Sequence, residues 1–207
     1  LLQELPRQVV ALLQSGDITE YATLSAAGVP IDTPVLYFPS AGLQSIDLAT
    51  GLAYPAKAER ARKNPKVGLL IEGGPDEPVI AIAGLAAVRD ADLQANVERY
   101  LSEAGHRLPG DPAWSLARQA LWYWTRILIE VTPVQVLWWD SPAAMDTAPR
   151  CWEAALDGVY PQSDPAPLST PSSPSDWHKS PWQDLAKQAR EKAAPGHLSV
   201  VDADGFP

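Results

Sequence analysis

The alternation of apolar and polar residues divides the chain into helices and strands. Apolar residues at helical spacing predict a helix within residues 1–15, closed by Gly16. Alternating runs bounded by turn residues predict strands near 20–26, 31–38, 43–49, 66–72 and 78–89. A further long strand is predicted over 122–131, with Trp138 and Trp139 on the strand after it. The order of these elements indicates a mainly β domain with peripheral helices.

Shorter helical patterns lie between and after these strands. A basic helix is predicted from about Pro55 to Asn64, and Asp90 is a candidate N-cap for a helix through Leu101. Two more helices are predicted at 112–118 and from 180 or 181 to 192. A run rich in proline and serine separates the last two, so the chain is expected to contain an extended arm.

The basic helix stands out because the chain as a whole is acidic. It carries Lys57, Arg60, Arg62 and Lys63 against Glu59 alone, while the formal net charge is -9. A helix that opens just after a strand presents unpaired N–H groups and the positive end of its dipole, which suit a phosphate. A solvated basic face is the commoner cause of such a charge run. Charge alone therefore leaves both interpretations open.

The choice between a phosphate site and a solvated face depends on a set of short segments that follow one another along the chain. They are 21–25 with the turn 28–30, 31–38, 46–50, 57–58, 64–70, 82–86 and 127–133. The spacing from Lys57 to Asn64-Pro65-Lys66-Val67 is the most specific part. Over about residues 18–140 the chain resembles the pyridoxamine 5'-phosphate oxidase-like family of flavin-binding proteins. The resemblance implies an α+β, mainly β fold: a six-stranded antiparallel split β-barrel (the FMN-binding split barrel) with peripheral helices.

The resemblance also implies a site for flavin mononucleotide (FMN). Lys57 would contact the phosphate with Thr50 or Ala49 at the adjacent strand end, and Arg60 is the next candidate. The backbone of three residues on the second strand would face the isoalloxazine ring: Thr33, Pro34 and Val35.

Two positions depart from the family pattern. Ala56 stands where members of the family carry an arginine before the lysine, and Val79 stands where they carry a flavin-contacting glutamine. Arg60 or Arg62 would have to supply the missing charge. Both departures bear on how tightly a flavin is held and on whether pyridoxamine phosphate is the substrate.

Trp124 and Arg126 share one face of the long strand and allow two interpretations. They are substrate-side candidates, because tryptophan stacks on planar rings and arginine pairs with acidic groups. They equally suit core or dimer packing, in which both residue types are common.

The function that follows from the resemblance is an FMN-dependent oxidoreductase acting on an unidentified small molecule. The family places flavin between two barrels, which predicts a homodimer or an intrachain pseudo-dimer. The alternatives are a binding or regulatory protein without catalysis, a haem protein and a protein that binds a deazaflavin. No residue stands out as an axial haem ligand, although His178 or His197 could serve.

The chain divides into three regions by composition. Residues 1–140 are the expected barrel domain, 141–180 a linker or arm, and 181–207 a helix plus a strand. Residues 197–207 resemble 21–30, with Gly205 over Gly28. This weak repeat predicts that the polypeptide continues into a second split barrel. Alternatively, if the chain stops at this point, residues 198–201 should pair with an existing sheet edge.

Composition argues against several other classes. An acidic chain is a poor partner for nucleic acid, and no apolar run reaches the length of a membrane span. Cys151 is the only cysteine, so neither an internal disulfide nor a cysteine-cluster metal site is possible, and no metal site is predicted. A cytoplasmic location is the expectation.

Overall fold

The computed structural model describes residues 2–52, 54–104, 125–155, 160–167, 182–192 and 196–207. In these ranges the strands are β1 (Ile18–Leu24), β2 (Pro30–Pro39), β3 (Ile46–Gly51), β4 (Lys66–Glu72), β5 (Val79–Arg89), β6 (Arg126–Trp139) and β7 (Arg150–Glu153). The α-helices are α1 (Arg7–Ser15), α2 (Ala56–Lys63), α3 (Leu93–Ala104) and α4 (Trp182–Lys192). Short 3-10 helices span Leu2–Glu4, Ala41–Leu43 and Pro142–Ala144.

Six strands close into an antiparallel barrel. They follow the order β3, β2, β1, β4, β5, β6, and pairing between β3 and β6 completes the circle. Closure satisfies the backbone groups that an open sheet would leave at its edges. The predicted six-stranded split barrel with peripheral helices is confirmed.

The core fills the barrel with side chains that alternate along the strands. Tyr21, Tyr37, Leu48 and Ile129 are among its fully buried members. Helix α1 contributes its apolar face, and the hydroxyl of Tyr37 donates a hydrogen bond to the carbonyl of Leu12 at 2.6 Å. Within the described residues, no helix has both the length and the apolar character needed to cross a membrane.

Strand β6 corrects the prediction of two separate strands around residue 131. It is a single strand, in which Pro133 lies where the register with β5 shifts between Ala83 and Gly84. Proline lacks an N–H and is tolerated in sheets at such irregularities. The predicted first part of the strand, 122–124, lies outside the described residues.

The predicted linker 141–180 contains a strand, β7, which pairs with the far end of the long strand β6. β3 pairs with β6 only as far as Val131, which leaves one edge of residues 135–138 open. β7 pairs with that edge outside the barrel. Farther on, Ser163 and Asp164 bind the backbone of Val88 through hydrogen bonds of 3.0 and 2.8 Å. These parts of 141–180 are therefore attached to the barrel.

Two other expectations need correction. The N-cap of α3 is Asp92, whose carboxylate accepts a hydrogen bond from the Ala95 amide at 3.0 Å, because the carboxylate of Asp90 is paired with Arg62. Residues 198–201 form no strand, since the closed barrel leaves them no edge among strands β1 to β5. The helix predicted at 112–118 lies outside the described residues.

Candidate functional site

The connection from β3 to α2 brings Lys57 back to the end of β3. The Tyr54 amide donates to the carbonyl of Gly51 at 2.9 Å, and Pro55 precedes the first helical residue. Proline suits this position because the first turn of a helix needs no N–H partner. Lys57 therefore lies in the first turn of α2, and its Nζ donates to Thr50 Oγ1 at 3.3 Å.

Thr50 fixes the position of the lysine. Its side chain is buried, and its hydroxyl donates to the carbonyl of Tyr54 at 2.9 Å. Because that proton is committed to a carbonyl, the oxygen faces Lys57 as an acceptor. The ammonium is held at the strand end by a neutral hydroxyl.

A cavity of about 260 Å³ opens at this point. Six residues from the sequence prediction line it, and they come from β2, β3, α2 and β6: Pro34, Val35, Ala49, Thr50, Lys57 and Arg126. The other lining residues are Leu36, Phe38, Gly51, Tyr54 and Tyr100. The structure thus gathers most of the predicted site residues around one space.

Arg126, the first residue of β6, forms part of the cavity wall. Its guanidinium lies over the ring of Tyr100, 4.7 Å from the ring centroid. A Cβ atom on Gly51 would lie 3.2 Å from Arg126 Nη1, so a larger residue at position 51 would crowd the guanidinium. Tyr100 in turn packs edge-to-face on Phe38, with centroids 5.6 Å apart. Arg126 is therefore braced by an aromatic pair.

The positive charges around the cavity act on one another. Burial lowers the pKa of Lys57 below its ordinary value, and the nearby charges of Arg60 and Arg126 lower it further. Like charges destabilise the protonated lysine, whereas a bound anion would restore it. The cavity therefore combines a half-buried ammonium with two guanidinium groups near enough to influence it.

Helix α3 is anchored by a salt bridge beside the cavity. Arg99 binds Asp47, and its Nη1 lies 2.7 Å from Glu130 Oε1; these two carboxylates are opposite each other on β3 and β6. Burial alone would raise the pKa of Glu130, but hydrogen bonds and charge from Arg99 and Arg89 outweigh burial and lower it. The anchored helix then places Tyr100 against Arg126.

Three predicted contributors lie elsewhere. Arg60 Nε donates to the buried hydroxyl of Thr23 at 2.7 Å, and Arg62 forms a salt bridge with Asp90 at 2.5 Å. Thr33 is paired with Tyr21 on β1 and does not line the cavity. Neither Arg60 nor Arg62 takes the place of the arginine missing at position 56.

The two departures from the family pattern, Ala56 and Val79, lie in different parts of the structure. Ala56 is exposed at the start of α2, and Arg126 is the arginine that reaches the cavity instead. Val79 is paired with Trp139, at the opposite end of β6 from Arg126. The valine is therefore remote from this cavity.

Sequence reasoning missed five lining residues: Leu36, Phe38, Gly51, Tyr54 and Tyr100. Tyr54 had a usable signal, because it lies between Thr50 and Lys57 in the chain. Tyr100 had none, since its place depends on how α3 docks. Trp124 lies outside the described residues.

No family model and no curated protein matches the chain. Solved structures do match it. A conserved hypothetical protein from Mycobacterium tuberculosis aligns at 19% identity over 66% of this chain and 85% of its own, with a TM-score of 0.53. A Clostridium acetobutylicum protein related to general stress protein 26, described as of the pyridoxinephosphate oxidase family, aligns at 14% identity over 70% and 92%, with a TM-score of 0.50.

General stress protein 26 from Bacillus anthracis also aligns, at 18% identity over 71% of this chain and 96% of its own, with a TM-score of 0.49. Identities of this size reflect a shared fold and do not transfer an activity. The closed barrel, its order of strands and the two alignments with TM-scores of 0.53 and 0.50 agree with the resemblance found in the sequence. The chain therefore has the fold of the pyridoxamine 5'-phosphate oxidase-like split barrels.

Proposed function

We propose that the cavity binds FMN and that the protein is an FMN-dependent oxidoreductase acting on a small molecule. One observation carries the proposal. Lys57 is half-buried at a strand end, donates to Thr50 and lies close enough to Arg60 and Arg126 for both to lower its pKa. Perturbed groups that converge on a cavity are typical of functional sites.

The residues present fit a phosphate. The Lys57 ammonium is a charge-assisted donor, and the guanidinium of Arg126 offers several more N–H groups. Helix α2 begins without a side-chain cap, and its first turn carries Lys57, which lines the cavity, so the positive end of the helix dipole also favours an anion there. An anion of charge near -2 would offset the repulsion among the cations.

The rest of the cofactor needs a second surface. The cavity volume of about 260 Å³ lies below the ~300–1,000 Å³ usual for small-molecule sites. Leu36 and Tyr54 line the cavity and are both substantially exposed. We infer that the flavin ring extends past them and is covered by a second barrel, in a homodimer or an intrachain pseudo-dimer.

FMN would supply the hydride chemistry when bound. The chain's own residues would hold the phosphate, orient the ring along β2 and limit the entry of water. Among the lining residues, the side chains that can carry or release a proton are those of Lys57, Tyr54 and Tyr100. Arg126 remains the substrate-side candidate within the described residues, together with its role at the cavity wall.

An absorption spectrum of the purified protein and a titration with FMN test this proposal. Flavin bands, or saturable micromolar quenching of FMN fluorescence, are the expected result. A Soret band would favour haem instead. In that case the ligand needs to be sought away from His197, which binds Glu20 and Glu72 on the outer wall. A bare spectrum with no quenching would contradict the proposal and favour a binding protein without FMN.

A further inference from the structure

The turn between β1 and β2 recurs near residue 205. In the first copy the Ser25 amide donates to the carbonyl of Val29 at 2.9 Å. In the second, the Asp202 amide donates to the carbonyl of Phe206 at 2.9 Å. The return bonds also match, because the amides of Val29 and Phe206 donate to the side-chain oxygens of Ser25 and Asp202. The sequence repeat is therefore also a repeat of conformation.

A glycine occupies the same place in both turns. Gly28 has a φ of 74° and Gly205 a φ of 83°, in the left-handed region that favours glycine. Each donates its amide to the carbonyl of the residue three positions earlier, at 2.9 and 3.2 Å. A proline follows two residues later in both copies, and Pro30 is the first residue of β2.

A helix lies upstream of each turn at the matching distance. Helix α1 spans Arg7–Ser15, and residues 184–192, which are 177 positions later, all lie within α4; Glu20 and His197 have the same separation. The helices correspond in position and not in their side chains. Residues 184–207 thus repeat the order of helix, strand segment and turn found in 7–30.

The two strand segments differ in what surrounds them. Tyr21 and Thr23 are 0% exposed inside the barrel, whereas their counterparts Leu198 and Val200 are 86% and 65% exposed. Apolar side chains exposed together in this way are typical of a surface that another part of a protein covers.

The opposite face of this segment contacts the outer wall of the barrel. His197 Nδ1 lies 3.0 Å from Glu20 Oε1 and its Nε2 3.3 Å from Glu72 Oε1. Ser199 Oγ donates to Asp32 Oδ1 at 2.8 Å. His197 and Ser199 match the outward positions of β1, so the segment lies on the barrel with its core face turned away.

We propose that residues 184–207 are the first helix, first strand and first turn of a second split barrel. The next strand of that barrel continues from Pro207 in the same polypeptide, as β2 continues from Pro30. The second barrel packs on the first through the outward face of residues 197–199. This inference is independent of any cofactor.

Hydrogen exchange on the complete native polypeptide tests the proposal. Amides 198–201 should exchange as slowly as amides 21–24, because both would be paired in a barrel. Val200→Asp should speed exchange at 198–201 by about tenfold or more, because it places a charge in the second core. Val200→Thr is the matched control, and it should keep the protection because the first barrel carries Thr23 at this position.

Fast exchange at 198–201 in the complete polypeptide would overturn the proposal, and so would full protection in Val200→Asp. A second copy of the chain is the competing partner. It would show as protection of 198–201 in the 207-residue chain that rises with protein concentration, and that result would also overturn the continuation from Pro207.

Discussion

The basic side chains of α2 take part in two clusters of charged residues, which differ in whether carboxylates balance the positive charge. One is the cavity cluster: Lys57 and Arg126 line the cavity, and Arg60, which does not line it, lies near enough to lower the pKa of Lys57. The other is the salt-bridge cluster, in which Arg62, Arg89 and Arg99 meet four carboxylates outside α2: Asp47, Asp90, Glu130 and Asp164. Lys57 and Arg60 instead donate hydrogen bonds to the hydroxyls of Thr50 and Thr23.

The difference separates a structural role from a binding role. In the salt-bridge cluster, each arginine joins distant segments and its charge is neutralised locally. In the cavity cluster, neighbouring cations lower the pKa of Lys57, which costs stability unless an anion is present. A cost of this kind, located at a cavity, indicates a ligand. The predictions below separate the two clusters, and the largest expected effect comes first.

Arg62→Met should lower stability most. The side chains of Arg62 and Asp90 are 11% and 6% exposed, so the change leaves a buried carboxylate without its cation. We expect a loss of about 3 kcal/mol in the free energy of unfolding, measured by chemical denaturation.

The double variant Arg62→Met with Asp90→Asn is the control, because it removes both charges. It should recover part of the lost stability. If the single variant unfolds at the wild-type denaturant concentration, the salt-bridge cluster does not have the structural role assigned to it.

Lys57→Met should weaken ligand binding without lowering stability. We expect FMN to bind at least about tenfold more weakly, because a charge-assisted contact to phosphate is lost. The thermal midpoint of the ligand-free protein should stay the same or rise, because repulsion from Arg60 and Arg126 is relieved.

Lys63→Met is the matched control, because Lys63 is an exposed lysine on the same helix. It should leave FMN affinity unchanged. Equal weakening by both variants would show that the helix attracts FMN through general charge and not through a built site.

Acid should weaken the salt-bridge cluster. Because the folded-state pKa of Glu130 is lowered, its ionised form stabilises the fold above the ordinary pKa, and this contribution is lost as pH falls through the lowered value. The thermal midpoint should therefore fall as the pH drops below about 5. Glu130→Gln should reduce this acid dependence, and an unchanged slope would remove Glu130 as a contributor.

Alkaline pH should weaken FMN binding by the smallest amount. The pKa of Lys57 is lowered from 10.5, so its charge is lost at a lower pH than that of a free lysine, while the phosphate stays ionised. The dissociation constant should therefore rise as the pH is raised from neutral toward 10.5. Lys57→Arg should bind with little dependence on pH in this range, because guanidinium stays charged; a parallel rise would exclude Lys57.

The parts of the site that depend on local sequence could be predicted. Thr50 lies at the end of a strand and Lys57 lies in the first turn of the helix that follows, and the short connection between strand and helix brings the two side chains together. Arg126 was recognised as a candidate from alternation along its strand. Its partnership with Tyr100 could not be predicted, because α3 is placed by Arg99 through Asp47 and Glu130, which are far apart in sequence.

The errors in the fold have similar causes. The predicted strand ended at Val131, but β6 continues to Trp139, because the register shift beside Gly84 accommodates Pro133 within the strand. Strand β7 was missed because it pairs with an edge of β6 that is open only beyond the end of the pairing between β3 and β6. Asp90 satisfied the local rule for an N-cap, yet Arg62 claims its carboxylate and Asp92 caps the helix.

The most direct measurement is the affinity of FMN and of riboflavin, which lacks the phosphate, for the wild type and for Lys57→Met. If Lys57 holds the phosphate, the wild type should prefer FMN by at least about tenfold, and the variant should lose most of that preference while its riboflavin affinity stays the same. An equal preference for FMN in both proteins would contradict a phosphate site at Lys57.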